Sequence, residues 1–207
     1  MSKIIIMTDS TCDLSQEIID KYDFKVLPLY VNFGDKVYKD RVEMNVDKMY
    51  ATVAETGVYP KTSAASPDDF YKYFKELLKE DVEIIYTGIG STLSSTFQNA
   101  HIARSEFSEE EQSRIHLVDS LNLSTGIGLL LLKAASLREI GCSALEIAKK
   151  MEEIVPKVRT QFVVETLEYL HKGGRCSGTT KIIGTLLRIR PILRVFQGKI
   201  NVADKIF

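Results

Sequence analysis

The sequence predicts an α/β fold, with an N-terminal three-layer α/β/α parallel-sheet domain over residues 1–158 and the beginning of an α+β domain over residues 159–207. Short apolar runs that are typical of strands alternate with helical periodicity through the first segment. Such alternation is typical of a parallel sheet covered on both faces. After about Arg159 the alternation stops, which indicates that a second domain begins there.

The first elements are each predicted from a local signal. Lys3–Met7 is a short β-rich apolar run, and Ser15 is placed to cap the helix that follows it. Phe24–Val31 is predicted as the second strand, and Pro28 within it favours an edge position. Gly34 with Asp35 then predicts a hairpin turn.

Two helices and two strands complete the middle of the chain. Asn45 caps a helix that Gly57 closes, and Ser66, followed by Pro and two acids, begins another. Val82–Thr87 and Ile115–Val118 are the third and fourth strands, and each is followed by a helix.

The last part of the chain changes in character. Ser143 caps a helix that Pro156 ends, and Gln161–Val164 is predicted as a strand. Two short helices and a hairpin around Gln197-Gly198 are expected to follow, which together read as the start of an α+β domain.

Composition excludes several classes of protein. The chain is 44% hydrophobic and 27% charged, values typical of a globular protein. The apolar start is too short for a signal peptide, and the run Leu129–Leu132 is far shorter than the roughly 18 residues of a membrane span. Cys12, Cys142 and Cys176 form no Cys-x-x-Cys pair. We therefore expect a cytoplasmic protein with reduced thiols and no stable membrane insertion.

Charge is distributed unevenly. The segment 171–205 holds eight basic residues and one acid, Asp204, so it carries +7 while the rest of the chain carries −8. This asymmetry predicts a docking face for an acidic partner, with a solvated face as the alternative. Nucleic acid is not expected as the partner, because Phe196 is the only aromatic residue interleaved with these cations and no nucleic-acid motif is present.

Small hydroxyl residues follow three of the predicted parallel strands, in the segments 8–11, 90–96 and 119–120, and Thr62-Ser63 precedes another helix. The carboxyl ends of parallel strands meet at one edge of the sheet, which is where ligands bind. Hydroxyls together with helix N-termini favour an anion there. The alternative is that each hydroxyl only caps its own helix.

Signatures of catalysis are missing from the sequence. His101, His116 and His171 have no metal-ligand spacing, and the segment 88–91 lacks the lysine of a phosphate-binding loop. There is no Gly-x-Ser-x-Gly elbow. We therefore predict a site that holds a ligand without reacting with it, and neither a metal nor a cofactor.

Several ordered segments resemble the DegV family. They run from about residue 3 to residue 202 and keep the family's order: Thr8–Leu14, Pro28–Val31, Lys61–Pro67, Gly90–Ala100, Val118–Ser120, Glu165–Arg175 and Arg190–Leu193. The resemblance implies a fatty-acid-binding protein with a lipid tunnel between its two domains. It also implies a carrier subunit that presents the acid to the catalytic subunit of a fatty acid kinase.

The resemblance also implies residue roles. The family's carboxylate-holding Thr and Ser fall on Thr62 and Ser94, and the same turn supplies Ser91 and Ser95 as further candidate ligands. Ser95 stands where the family usually has Gly. The arginine of Gly173-Gly174-Arg175 is similar to the family's kinase-docking arginine.

Two other functions and one further expectation stay open at this point. An enzyme could act on a small phosphorylated or keto substrate at the same rim, with Asp9 or Asp119 as acid–base. A DNA-binding regulator could use the basic segment. Because the chain ends on the apolar pair Ile206-Phe207 and family members continue further, we expect the sequence to be a fragment that lacks part of its second domain.

Overall fold

The computed structural model describes residues 3–175 and 190–206. Its first sheet has four parallel strands in the order β2-β1-β6-β7, formed by Lys25–Leu27, Lys3–Asp9, Val82–Tyr86 and Ile115–Leu117. The helices that accompany it are α1 Gln16–Tyr22, α3 Pro67–Leu77, α4 Thr96–Ser105, α5 Glu109–Ser113, α6 Thr125–Glu139 and α7 Ala144–Ile154.

Neighbouring side chains of the central strand β1 enter two different cores. Ile6 packs with Ile127 of α6 and Ile147 of α7 on one face of the sheet. Ile5 packs with Phe70 of α3, among others, on the opposite face. Because successive strand residues point to opposite faces, the sheet is covered on both sides. The predicted α/β class with a three-layer first domain is confirmed.

Most helix ends follow their predicted caps. Ser15 accepts the Ile18 N–H at the start of α1, and Ser66 forms a capping box with Asp69 at the start of α3. Ser143 does the same at the start of α7. These side chains satisfy amide groups that have no partner within the helix, so the sequence determines where each helix begins.

The prediction of one strand over Phe24–Val31 is wrong. The segment forms β2 in the parallel sheet and then β3, Tyr30–Phe33, in a different sheet. Pro28 lies at the break, where its missing N–H ends the ladder. The next amide, that of Leu29, donates to Ser10 Oγ at 3.1 Å.

A second sheet has the order β4-β3-β5, with β4 at Lys36–Lys39 and β5 at Lys61–Ser63. The hairpin between β3 and β4 is confirmed, and Gly34 there has φ +59°. Helix α2, Val46–Thr56, lies against this sheet through Met49 and Val53 and buries no residue fully. Thr62 therefore belongs to a short edge strand, and α3 begins only at Pro67.

The third sheet has the order β10-β9-β8, formed by Lys199–Ile206, Arg190–Phe196 and Thr160–Val163. The predicted hairpin at Gln197 and Gly198 is confirmed, and both residues have positive φ. Of the two predicted short helices, one is α8, Glu168–Lys172, and the prediction of the other concerns the segment 176–189, which lies outside the described residues.

The third sheet packs against the first domain through a small apolar cluster of Leu93, Leu193 and Ile200. Because this contact crosses the proposed boundary, the division at residue 158 stays a prediction. Among the residues with described positions, no helix has the length and apolar character needed to cross a bilayer.

The core position of Phe70 predicts a large stability loss on truncation. Its ring is 0% exposed and lies 5.1 Å from the Tyr86 ring centroid. Phe70→Ala should lower the free energy of unfolding by about 3–5 kcal/mol, measured by urea denaturation. Leu129→Ala, at a residue 57% exposed on α6, is the control and should cost less than about 1 kcal/mol. Equal losses in the two variants would contradict this description of the core.

Candidate functional site

A cavity of about 470 Å³ lies where the second sheet, the loop after β6 and α8 meet. Its wall combines aliphatic and aromatic side chains with polar and charged ones. The residues that line it are Thr11, Leu29, Tyr30, Val31, Asp40, Met49, Pro60, Lys61, Thr62, Ser63, Ala64, Ile89, Leu93, Ser94, Tyr169, Leu170, Lys172, Gly173 and Arg175. Its size lies within the range of small-molecule sites in proteins.

Thr62 and Ser94 both line this cavity, although they come from different elements. Thr62 lies on β5 directly opposite Val31 of β3. Ser94 lies in the turn before α4, where its N–H donates to the Gly90 carbonyl at 3.3 Å. The Ser94 hydroxyl accepts the Thr96 N–H at 3.2 Å and shares a 2.8 Å hydrogen bond with the Thr96 hydroxyl.

Ser91 and Ser95 do not line the cavity, although they belong to the same turn. Both are exposed. The Ser91 N–H donates to Asp119 Oδ1 at 3.1 Å, and Ser95 occupies the N-cap position of α4 without a side-chain cap bond. The turn thus directs one of its three serines toward the cavity. A ligand role for Ser91 and Ser95 has no support from this placement.

Arg175 lies beside the Ser94 turn. Its Nε donates to the Leu93 carbonyl at 3.3 Å and its Nη1 to the Gly173 carbonyl at 2.5 Å. The residue is exposed and also lines the cavity, so its guanidinium lies at the cavity opening. Of the other cations in the basic segment, Lys181 and Arg188 lie outside the described residues.

Aromatic side chains connect α8, which lines the cavity, to α2 and to the segment before β5. The Tyr169 ring of α8 lies 5.2 Å from the Tyr59 ring and 6.1 Å from the Tyr50 ring of α2. The Lys172 ammonium lies 3.2 Å from the Tyr59 ring centroid and forms a 2.9 Å ion pair with Glu168. These contacts join α8 to the elements that carry Thr62.

Sequence reasoning missed several lining residues, Tyr30 and Met49 among them. The Tyr30 hydroxyl donates to Asp69 Oδ1 at 2.9 Å. Burial, together with the hydrogen bond to Asp69, raises the pKa of Tyr30 to about 12. Tyr30 lies two residues after Pro28, at the start of β3. Pro28 was the available signal that the chain leaves the parallel sheet there and enters the sheet that lines the cavity.

Asp9 and Asp119, the candidate acid–base residues, are both absent from the cavity lining. Burial raises the pKa of the Asp9 carboxyl, although Thr11, Ile89 and Tyr86 all donate hydrogen bonds to it. Asp119 Oδ1 accepts the N–H groups of Ser91 and Leu121. Both acids therefore hold loops in place, and the geometry favours no catalytic role for them.

The histidines are separated from one another in the fold. His116 contacts Glu83 at 3.1 Å on the sheet, and His101 stacks edge-on against Phe97. Burial lowers the pKa of His101, and Arg104 lowers it further. Within residues 3–175 and 190–206 no cluster of three potential metal ligands is found.

Comparisons with known proteins identify relatives over nearly the whole chain. A family model described as "Uncharacterised protein, DegV family" matches residues 3–207. A DegV domain-containing protein from Clostridium acetobutylicum is 42% identical over 206 residues, which are 100% of this chain and 73% of that protein. Another from Clostridium perfringens is 38% identical over the same share of each protein.

Solved structures agree with these relatives. A DegV family protein from Thermus thermophilus, described by its fatty acid binding, matches with a TM-score of 0.87 at 34% identity, covering 98% of this chain and 71% of that chain. A stearic acid-binding protein from Eubacterium ventriosum matches with a TM-score of 0.89 at 27% identity, covering 99% and 70%. DegV from Bacillus subtilis, a fatty acid binding protein, matches with a TM-score of 0.86 at 30% identity, covering 100% and 73%.

The Tyr30–Asp69 contact in the cavity wall predicts a pH-dependent contribution to stability. Burial alone would raise the pKa of Asp69, but hydrogen bonds from Ser66 and Tyr30 lower it overall. The contribution is therefore complete above the ordinary value of 3.8 and is lost as the pH falls through the lowered pKa.

Asp69→Asn should be less stable than the unchanged protein at pH 7 by roughly 1 kcal/mol, a typical value for a capping side chain. The difference should shrink at pH 3, below the ordinary value of 3.8, because the unfolded chain then binds a proton at this carboxyl and part of the stabilisation is lost. Urea midpoints at both pH values provide the measurement. Asp68→Asn, at the exposed neighbour that pairs only with Lys72, is the matched control. A difference that is independent of pH would count against the assigned hydrogen bonds.

Proposed function

The chain belongs to the DegV family, and we propose that it binds one long-chain fatty acid through the carboxylate of the acid. The observation that carries this proposal is that Thr62 and Ser94 share one cavity whose wall is apolar over most of its surface. The aliphatic part of that wall consists of Leu29, Val31, Met49, Ile89, Leu93 and Leu170.

Hydroxyl groups are suitable partners for the head group of such a ligand. Each hydrogen bond from a neutral donor to a carboxylate contributes roughly 1.5–3 kcal/mol when the site is shielded from water. Two donors from Thr62 and Ser94 can hold the acid without an opposing buried lysine. The acid is thus bound firmly and remains chemically unchanged.

The aliphatic wall is suited to the tail. Each methylene that leaves water contributes about 0.8 kcal/mol, so the acyl chain supplies most of the affinity. Related proteins described as binding fatty acids, including stearic acid, support a ligand of this class. The proposed function requires no cofactor, and the fatty acid is the bound ligand.

We further propose that the protein is a non-catalytic carrier that presents the acid to the catalytic subunit of a fatty acid kinase. Arg175 is the proposed docking residue, because it is exposed at the cavity opening beside the Ser94 turn. A guanidinium there can bind an acidic partner close to the carboxylate that the kinase would modify. The free thiols of Cys12 and Cys142 are consistent with a cytoplasmic location.

Ligand binding can be tested directly. Native mass spectrometry after expression in bacteria should find a bound acid of roughly 14 to 18 carbons, the length a cavity in a domain of this size can bury. Thr62→Ala with Ser94→Ala should weaken oleate binding by about tenfold or more, because both head-group donors are lost, and should change oleyl alcohol binding by less than about twofold.

The same titration of Ser91→Ala with Ser95→Ala tests the two serines outside the cavity lining. We expect a change smaller than about twofold for oleate, because neither hydroxyl lies on the cavity wall. A protein that carries no lipid and does not bind added oleate would disprove the carrier function altogether.

Partner docking makes a separate prediction. Arg175→Ala should lower kinase-dependent formation of acyl phosphate by about tenfold and leave the dissociation constant for oleate within about twofold. Lys199→Ala is the control, because Lys199 is an exposed cation of the same basic segment that does not line the cavity, and it should leave both quantities within about twofold. If Arg175→Ala weakens oleate binding by the same factor as it lowers phosphorylation, Arg175 contacts the ligand and the docking role is wrong.

A further inference from the structure

The segment Asp9-Ser10-Thr11, between β1 and α1, carries two buried polar side chains that the proposed function leaves unexplained. Asp9 is 0% exposed and Ser10 is 2% exposed. Buried polar side chains are costly unless they are fully hydrogen-bonded. The partners that satisfy them therefore indicate what the segment does.

Asp9 accepts four hydrogen bonds. Its Oδ1 accepts the N–H of Thr11 at 3.0 Å and the hydroxyl of Thr11 at 2.5 Å. Its Oδ2 accepts the N–H of Ile89 at 2.8 Å and the hydroxyl of Tyr86 at 3.1 Å. Gly88 permits this approach, because a Cβ at that position would overlap Asp9 Oδ2. The carboxylate thereby fixes the start of the loop that follows β6.

That loop leads directly to Ser94. The residue after Ile89 is Gly90, whose carbonyl accepts the N–H groups of Leu93 at 2.9 Å and Ser94 at 3.3 Å. The Gly90 N–H is itself held by the Asn122 carbonyl at 2.8 Å. The position of the Ser94 hydroxyl thus depends on where Asp9 holds Ile89.

Ser10 fixes the segment that leads to Thr62. Its hydroxyl accepts the N–H of Leu29 at 3.1 Å, at the point where the chain leaves β2 and enters β3. Two residues later, Val31 lies opposite Thr62 in the β3–β5 ladder. All three residues of β5 are exposed, so its pairing with β3 determines where Thr62 lies.

We propose that Asp9 and Ser10 are positioning residues that bring Ser94 and Thr62 together into one carboxylate-binding site. The inference rests on the proposed function and extends it to residues that do not contact the ligand. Two adjacent side chains hold two elements that are distant in sequence, and each element delivers one hydroxyl. Hydrogen bonds are directional, so a displacement of either element weakens the grip on a carboxylate.

The test measures dissociation constants of the 207-residue chain for oleate and for oleyl alcohol. Their ratio reports head-group recognition, because both ligands have the same tail. Asp9→Asn and Ser10→Ala should each lower the preference for the acid by about tenfold. A variant that only loosens the fold weakens both ligands together and leaves the ratio unchanged.

Arg138→Met is the matched control. It removes partly buried hydrogen bonds of 2.7 Å to the Tyr22 carbonyl and 3.2 Å to the Ile4 carbonyl, and none of these residues lines the cavity. Its ratio should stay within about twofold of the unchanged protein. Should Asp9→Asn fail to fold, Tyr86→Phe removes one of the four donors and should lower the ratio in the same direction by a smaller factor.

Double variants test separately whether Asp9 acts through Ser94 and whether Ser10 acts through Thr62. Asp9→Asn should have little further effect on the ratio when Ser94→Ala is present, and its full effect when Thr62→Ala is present. Ser10→Ala should show the opposite dependence. Independent effects in both backgrounds, or equal weakening of acid and alcohol, would overturn the inference. If the unchanged protein binds neither oleate nor oleyl alcohol, the proposed function fails instead.

Discussion

A buried carboxylate must be surrounded by hydrogen-bond donors, and at Asp9 this requirement ties together the carboxyl ends of β1 and β6. The donors are Thr11 two positions later, Tyr86 at the end of β6 and Ile89 in the loop that follows β6. Removing one partner of a buried charge leaves the charge uncompensated, which costs far more than an ordinary surface contact. These hydrogen bonds hold the ends of β1 and β6 together at the edge of the sheet beside the cavity.

The cavity is built where the second sheet, the loop after β6 and α8 meet, and each contributes a different part. The parallel sheet supplies the loop that carries Ser94, the second sheet supplies Thr62, and the segment after β8 supplies Leu170 and Arg175. A site assembled in this way needs contacts that fix the parts relative to one another. Ser10 and the aromatic bridge around Tyr169 supply two of these contacts.

Much of the fold follows from local signals in the sequence, and the site follows only in part. Helix caps such as Ser66 and Ser143 are determined by neighbouring residues, so their positions could be predicted. β5 has no apolar alternation and exists as a strand because β3 pairs with it, so sequence reasoning placed Thr62 before a helix. Which serine of a turn faces a cavity depends on backbone angles that composition does not specify. The family resemblance, not periodicity, selected Ser94.

The hydrogen bonds around Ser94 leave its hydroxyl able to bind the proposed ligand. Ser94 Oγ accepts the N–H of Thr96, and the two hydroxyls share a further bond of 2.8 Å. When the Thr96 hydroxyl donates in that pair, the Ser94 proton is free to donate to a carboxylate. Donation into Ser94 Oγ also polarises its O–H, which strengthens the bond it gives. Since Thr96 is fully buried, its bond to Ser94 satisfies its hydroxyl whether or not the proposed acid is bound.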